Sequence, residues 1–198
     1  MIRSVVFDIG QVFLHLNHRP FLGLLTASGV DASNLDALLR RVAFDDHETG
    51  RLHGGGLMER FSALATPSIA HADLHAKWVD MFELQPRVVD LAHRLSERYR
   101  VYLLSNIGDL HWAHVSREYR LHQIGHGVLL SYLAGVMKPH EGIYVEAERR
   151  FALDPSQTVF IDDRAENIAA AKARGWHGIV HSDFDTTVAE LRALSVEC

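Results

Sequence analysis

Four runs of apolar, mostly β-branched or aromatic residues recur along the chain at wide intervals: Ser4 to Phe7, Arg100 to Leu104, Thr158 to Ile161 and Gly178 to His181. Within each run the apolar character is continuous rather than alternating, the pattern of a parallel strand covered on both faces. Helical spacing occupies Val88 to Tyr99, Asp109 to Tyr119, Glu141 to Phe151 and Ala165 to Arg174, and Gly175 follows the last of these as a left-handed cap. Strand and helix in alternation predict a doubly wound α/β fold built on a parallel sheet. Ligands bind such sheets at the carboxyl ends of the strands. Three of the four strands end there in polar residues: Asp8, Ser105 and the pair Asp162-Asp163.

The stretch from about His15 to Leu84 breaks this alternation. Helical patterns at Arg19 to Ser28, Asn34 to Ala43, Gly56 to Leu64 and His71 to Phe82 are punctuated by Gly29, Gly50, His53-Gly54-Gly55 and Thr66-Pro67, with no strand pattern among them. A right-handed crossover between parallel strands needs only one helix. Four predict a helical cap domain over residues 15–84, inserted into an α/β core made of residues 1–14 and 85–198.

Composition narrows the function classes. The 198 residues carry a formal net charge of -5, against a nucleic-acid partner, which would call for a basic face. No run of eighteen apolar residues occurs, so no membrane span is expected. Met1 to Ser4 leads directly into the first strand without a secretory signal, and the single cysteine, Cys198, can form no internal disulfide; both suit a cytoplasmic protein. The oligomeric state stays open. Among 14 histidines, His71/His75 and His122/His126 are spaced i, i+4, yet neither pair has the Glu of HExxH or nearby cysteines. Solvated helix faces account for them better than a zinc site.

Asp162-Asp163 is harder to explain structurally. Adjacent carboxylates at the end of an apolar strand repel one another, and a hard, oxygen-liganded cation such as Mg²⁺ offsets that repulsion. Asp8 or Ser105-Asn106 taken singly could be helix caps, and Lys138-Pro139 a solvated turn. In order, however, Phe7-Asp8-Ile9-Gly10-Gln11-Val12, Leu103-Leu104-Ser105-Asn106, Met137-Lys138-Pro139-His140-Glu141-Gly142-Ile143-Tyr144 and Phe160-Ile161-Asp162-Asp163-Arg164-Ala165-Glu166-Asn167 resemble the four motifs of the haloacid dehalogenase superfamily. Leu110-His111-Trp112 and Leu130-Ser131 are further similar to the branch holding bacterial phosphatases of sugar phosphates such as α-D-glucose 1-phosphate and the phosphatase domain of soluble epoxide hydrolases.

The resemblance implies an enzyme, a phosphatase that hydrolyses a small phosphorylated metabolite such as a sugar phosphate through an aspartyl-phosphate intermediate. Asp8 would be the nucleophile. Ser105, the backbone N–H of Asn106 and Lys138 would bind the phosphoryl oxygens. Mg²⁺ would be held by Asp8, the Gly10 carbonyl and Asp163, with Asp162 as an auxiliary ligand; which of the adjacent carboxylates binds directly is open. Asn167 would orient Lys138 or an Asp, or else be a solvated surface residue.

One position departs from the pattern. Most phosphatases of this superfamily carry a second Asp two residues after the nucleophile as general acid and base, and here that position is Gly10. Three readings follow: a leaving group that departs with little protonation, as from a sugar 1-phosphate; another proton source, with His15 and His18 as candidates or else hinge residues; or a catalytically impaired binder of a phosphorylated ligand. Haloacid dehalogenation is the rival chemistry on this fold, and it needs no metal, which would leave Asp162-Asp163 costly and unused. For substrate choice, Arg40, Arg41, His47, Glu48, Arg51 and Arg60 are candidates to reach a polar group. Trp112 is expected in the core, and His53-Gly54-Gly55-Gly56 as a flexible turn.

Overall fold

The computed structural model describes residues 1–198. The chain begins with β1 (Ser4–Phe7) and β2 (Leu14–Leu16), then runs through α1 (Arg19–Ala27), α2 (Leu35–Arg41), α3 (Phe44–Glu48), α4 (Gly54–Ala63) and α5 (His71–Val79). It continues as β3 (Phe82–Leu84), α6 (Pro86–Ser96), β4 (Arg100–Ser105), α7 (Asp109–Tyr119), β5 (Gly127–Leu130) and α8 (Ser131–Ala134). It closes with α9 (Glu141–Phe151), β6 (Thr158–Asp162), α10 (Ala165–Ala173), β7 (His177–Val180) and α11 (Phe184–Ala193).

Five strands form one parallel sheet in the order β5-β4-β1-β6-β7, a doubly wound α/β arrangement with β1 at its centre. Its register explains the continuous apolar runs. Val6 lies opposite both Tyr102 and Phe160, and these side chains, with Leu104, join the cluster formed by α9 and α10. The alternate residues Val5, Phe7, Leu103 and Ile161 point to the other face and join Val88, Leu91 and Leu95 of α6, Val115 of α7 and Leu191 of α11. Both faces are buried, so the inner positions of each strand are apolar and polar residues are confined to the strand ends. Each fully buried large side chain contributes about 1.5–3 kcal/mol.

Helices α1 to α5 surround a third apolar cluster of their own, including Phe21, Leu25, Leu38, Leu57, Phe61 and Trp78. Phe21, Phe61 and Trp78 meet edge to face or tilted at centroid separations of 4.8–5.4 Å. The chain enters and leaves this helical unit through an antiparallel ribbon, Leu14–Leu16 paired with Phe82–Leu84. That ribbon corrects the expectation of no strand between His15 and Leu84: three-residue strands are too short to show a period of two. β5 and α11 are likewise additions, as is α3, which follows a break at Ala43 (φ 52).

The glycine run is another correction. Gly54-Gly55-Gly56 is the first turn of α4, capped by His53, whose Nδ1 accepts from the Gly56 N–H at 3.2 Å. A Cβ on Gly54 would lie 2.1 Å from Leu110 Cγ. The glycine lets α4 close on α7, where Asp109 Oδ2 accepts the Gly54 N–H at 3.1 Å. Trp112 packs half-buried against the sheet core, as expected. His71 and His75 are exposed on α5. No helix is long and apolar enough to cross a membrane.

Candidate active site

The sheet order brings the polar strand ends together. β1, β4 and β6 are neighbours, and Asp8, Ser105 and Asp162 stand at their carboxyl ends. Asp8 extends the ladder by donating its N–H to the Ile161 carbonyl at 2.8 Å, and its own Oδ1 accepts the Ile9 N–H at 2.7 Å. The chain then turns back tightly, with Phe13 and Leu14 both donating to the Ile9 carbonyl. This leaves Gly10 on the wall of a cavity above the strand ends.

Lys138 reaches this point from the loop before α9. Its ammonium is buried and has three partners: Asp162 Oδ2 at 2.7 Å, Asp8 Oδ1 at 2.8 Å and the Leu104 carbonyl at 3.0 Å. The loop is held by Asn106, which accepts the Lys138 N–H through Oδ1 and donates through Nδ2 to the Lys138 carbonyl, both at 2.8 Å. Asn106 thus acts on Lys138 through its side chain, a contact the sequence did not suggest. Ser105 Oγ has only a long 3.5 Å contact to the Asn106 carbonyl and faces the cavity largely free.

The acidic pair divides. Asp162 is fully buried and already satisfied: Oδ1 accepts from the Arg164 N–H at 2.8 Å, and Asn167 Nδ2 lies 2.9 and 3.0 Å from its two oxygens. Asn167 is itself buried, which excludes the solvated-surface alternative and makes it an orienting partner of an Asp. Asp163 is half-buried and makes no such contacts; burial, and then the charge of Asp162, raises its pKa.

Oxygens of Asp8, Asp162 and Asp163 all lie within 4.8 Å of one another. Three carboxylates and one ammonium leave a formal charge of -2 when all are ionised. Burial, opposed by Lys138, pushes Asp8 up to about 6. A cluster of hard oxygen donors that stays two positive charges short of neutrality even with Lys138 fits a divalent cation. The buried Asn167 Oδ1 also has no partner.

The cavity encloses about 240 Å³ and runs from Gly10, Ser105 and Asn106 up into the helical unit. Ten of its 17 lining residues are apolar, among them Leu16, Phe21, Leu39, Phe44, Trp78 and Phe82. Of the six polar residues expected to reach it, Glu48 alone does. Arg40 and Arg41 are exposed elsewhere, Arg51 pairs with Asp46 at 2.9 Å, and Arg60 donates to the Val42 carbonyl. His47 is buried with Nδ1 3.1 Å from the Leu52 carbonyl. His18 lines the cavity, whereas His15 is exposed and hydrogen-bonded to Gln11. Sequence reasoning missed Arg164 and His111 as wall residues, since both follow motif positions without an assigned task.

Comparisons agree with this geometry. The chain is 28% identical over 186 residues to a D-ribitol-5-phosphate phosphatase of Bacteroides thetaiotaomicron, covering 89% of this chain and 90% of that protein. It is 22% identical over 194 residues to a sesquiterpene phosphatase of Aspergillus oryzae, covering 97% and 96%. The fold superposes on a HAD-like hydrolase from Porphyromonas gingivalis with TM-score 0.85, 25% identity and full coverage of both chains. It also superposes on a HAD family enzyme from B. thetaiotaomicron, solved with magnesium and inorganic phosphate, with TM-score 0.84, 23% identity and 94% and 99% coverage. Residues 30–175 match the haloacid dehalogenase-like hydrolase family, and with the motif residues gathered at one sheet edge, the chain belongs to that family.

Proposed function

We propose that this chain is a magnesium-dependent phosphomonoesterase that hydrolyses a small phosphorylated metabolite through a phosphorylated Asp8. The observation that carries the reading is the ammonium of Lys138 seated between Asp8 and Asp162, with Asp163 in the same acidic cluster. Phosphoryl transfer needs an in-line nucleophile and neutralisation of the equatorial oxygens. Asp8 supplies the first. The Ser105 hydroxyl, the Asn106 N–H and Lys138 supply donors for the second. Asp8, Asp163 and the Gly10 carbonyl would hold Mg²⁺, which supplies charge neutralisation for the phosphoryl group when bound. Asp162, with both oxygens already engaged, holds Lys138 and Asn167 in place rather than facing the ligand.

The reaction proceeds in two halves. An Asp8 oxygen attacks phosphorus, the bond to the leaving oxygen breaks, and an alcohol departs. Water then attacks the aspartyl phosphate and returns Asp8 and inorganic phosphate. The helical unit, residues 15–84, serves as a cap that covers the cavity and excludes bulk water. The acidic trio argues against haloacid dehalogenation, which has no use for a cation site.

A sugar or sugar-alcohol phosphate is the substrate that the phosphatase of B. thetaiotaomicron favours as a reading. The apolar walls of the cavity support a second reading, an ester whose alcohol carries an apolar body, and the sesquiterpene phosphatase points the same way. The test is phosphate release from hexose 1-phosphates, pentitol phosphates, prenyl and aryl phosphates, with Mg²⁺ and with EDTA, using wild type and Asp8→Asn. Magnesium-dependent release that vanishes in Asp8→Asn is expected. Release that persists in Asp8→Asn refutes the nucleophile, and no release from any ester refutes the phosphatase.

A further inference from the structure

Position 10 carries no side chain, so a proton must reach the departing alcohol from another wall of the cavity. Four ionisable side chains line that cavity: His18, Glu48, His111 and Arg164. Arg164 stays protonated at every working pH and pairs with Glu166 at 2.6 Å. His111 is buried against Trp78, with Nε2 3.1 Å from the Trp78 carbonyl, and burial lowers its pKa to about 3. Burial also lowers His18. Burial thus biases both rings towards the neutral imidazole. Glu48 remains, and its carboxyl has no hydrogen-bond partner among the groups that surround it.

Glu48 is also fixed in place. The hydroxyl of Ser131, fully buried, donates to the Glu48 carbonyl at 2.6 Å and accepts the Ile107 N–H at 3.0 Å. One hydroxyl therefore ties the end of α3 to the loop that carries Ser105 and Asn106. Two residues on, Gly50 has φ +73, and a Cβ there would lie 2.2 Å from the Tyr132 carbonyl oxygen. The chain after Glu48 lies directly on the backbone of α8.

We infer, on the basis of the phosphatase reading, that Glu48 is the general acid and base of this enzyme in place of a side chain at position 10. In the first half, the Asp8 oxygen bonds to phosphorus and the ester P–O bond breaks. Its electron pair goes to the alcohol oxygen, which takes the Glu48 proton. In the second half, the water oxygen bonds to phosphorus as the Glu48 carboxylate takes its proton, and the P–O bond to Asp8 breaks with its electron pair returning to the Asp8 carboxylate. The charges facing Glu48 are Asp45 from its own helix, Asp8 at the end of β1, Lys138 and Arg164. Burial first, then Asp45, holds the carboxyl up to about 7, so a large share is protonated at neutral pH.

The experiment compares wild type, Glu48→Gln, Gly10→Asp and the double variant on a sugar-alcohol phosphate, whose leaving group needs a proton, and on p-nitrophenyl phosphate, whose leaving group does not. Glu48→Gln is expected to lower kcat/KM, which reports the steps up to departure of the alcohol, on the alkyl ester by about 10²–10⁴-fold and on the aryl ester by a few-fold, with loss of the alkaline limb of the pH profile. A side chain fits at position 10, where a Cβ meets only Leu16 Cδ1 at 3.8 Å. Gly10→Asp in the Glu48→Gln background should then recover at least tenfold on the alkyl ester. Equal losses of kcat/KM on both esters, or an unchanged alkyl kcat/KM in Glu48→Gln, overturn Glu48 alone. A wild-type chain inactive on every ester overturns the phosphatase reading and this inference with it.

Discussion

Lys138→Met puts a magnitude on the charge balance of the site. Methionine keeps most of the buried volume and removes the ammonium, so Asp8 and Asp162 lose contacts of 2.8 and 2.7 Å at one stroke. Removing one partner of a buried ion pair costs about 3–5 kcal/mol, because the remaining charge stays desolvated. For a chain of 198 residues each kcal/mol lowers Tm by about 2–4 °C, so a drop of about 6–20 °C is expected at neutral pH. The sign with pH follows from Asp8, already raised to about 6 with the lysine present. Without the lysine its folded pKa rises further, the folded state binds more protons than the unfolded one, and acid relieves the cost. The gap between variant and wild type should therefore be widest near about pH 7.5 and narrower near about pH 5. Thermal and urea unfolding at both pH values, each in EDTA and in Mg²⁺, measures it. A divalent cation should narrow the gap at the higher pH. A gap below about 1 kcal/mol at neutral pH, or one equal at both pH values, would refute the charge balance argued for this site.

Glu48→Gln tests its own pKa by stability. A carboxyl raised from 4.5 to about 7 costs the fold progressively as pH rises through that window, so the variant should gain on wild type between about pH 5 and 8. After discounting for partial exposure the gain is about 1–2 kcal/mol, read from unfolding midpoints. Gly50→Ala combines a left-handed backbone with a clash on the Tyr132 carbonyl, and should cost about 2–4 kcal/mol and lower turnover by displacing Glu48. Asp163→Ala should largely abolish the rise of Tm with added Mg²⁺; an unchanged rise would remove Asp163 from the metal site.

Four of the five strands of the core, all but Gly127–Leu130, and the residues at their ends were legible because the physics is local. A strand buried on both faces admits apolar residues at every position, as in Val5-Val6-Phe7 and Val159-Phe160-Ile161, and the first polar residue marks the strand end. Adjacent carboxylates such as Asp162-Asp163 announce a cation for the same local reason. Short elements carried no such signal. The ribbon of Leu14–Leu16 and Phe82–Leu84 and the five-residue helix Phe44–Glu48 owe their form to partners distant in sequence.

The sequence by itself determined the parallel α/β core, the order of the motif residues and the absence of a side chain at position 10. Only the tertiary structure decided which polar side chains face the cavity. It sent His47 into the interior, Arg51 to Asp46 and Arg60 to Val42, and it left Glu48 held over the site by Ser131. It also separated the acidic pair, with Asp162 consumed by Lys138 and Asn167 and Asp163 left open. A side chain's chemistry is written in its identity. Whether that chemistry is spent on a neighbour or left free for a ligand depends on contacts between residues tens of positions apart, which no local pattern records.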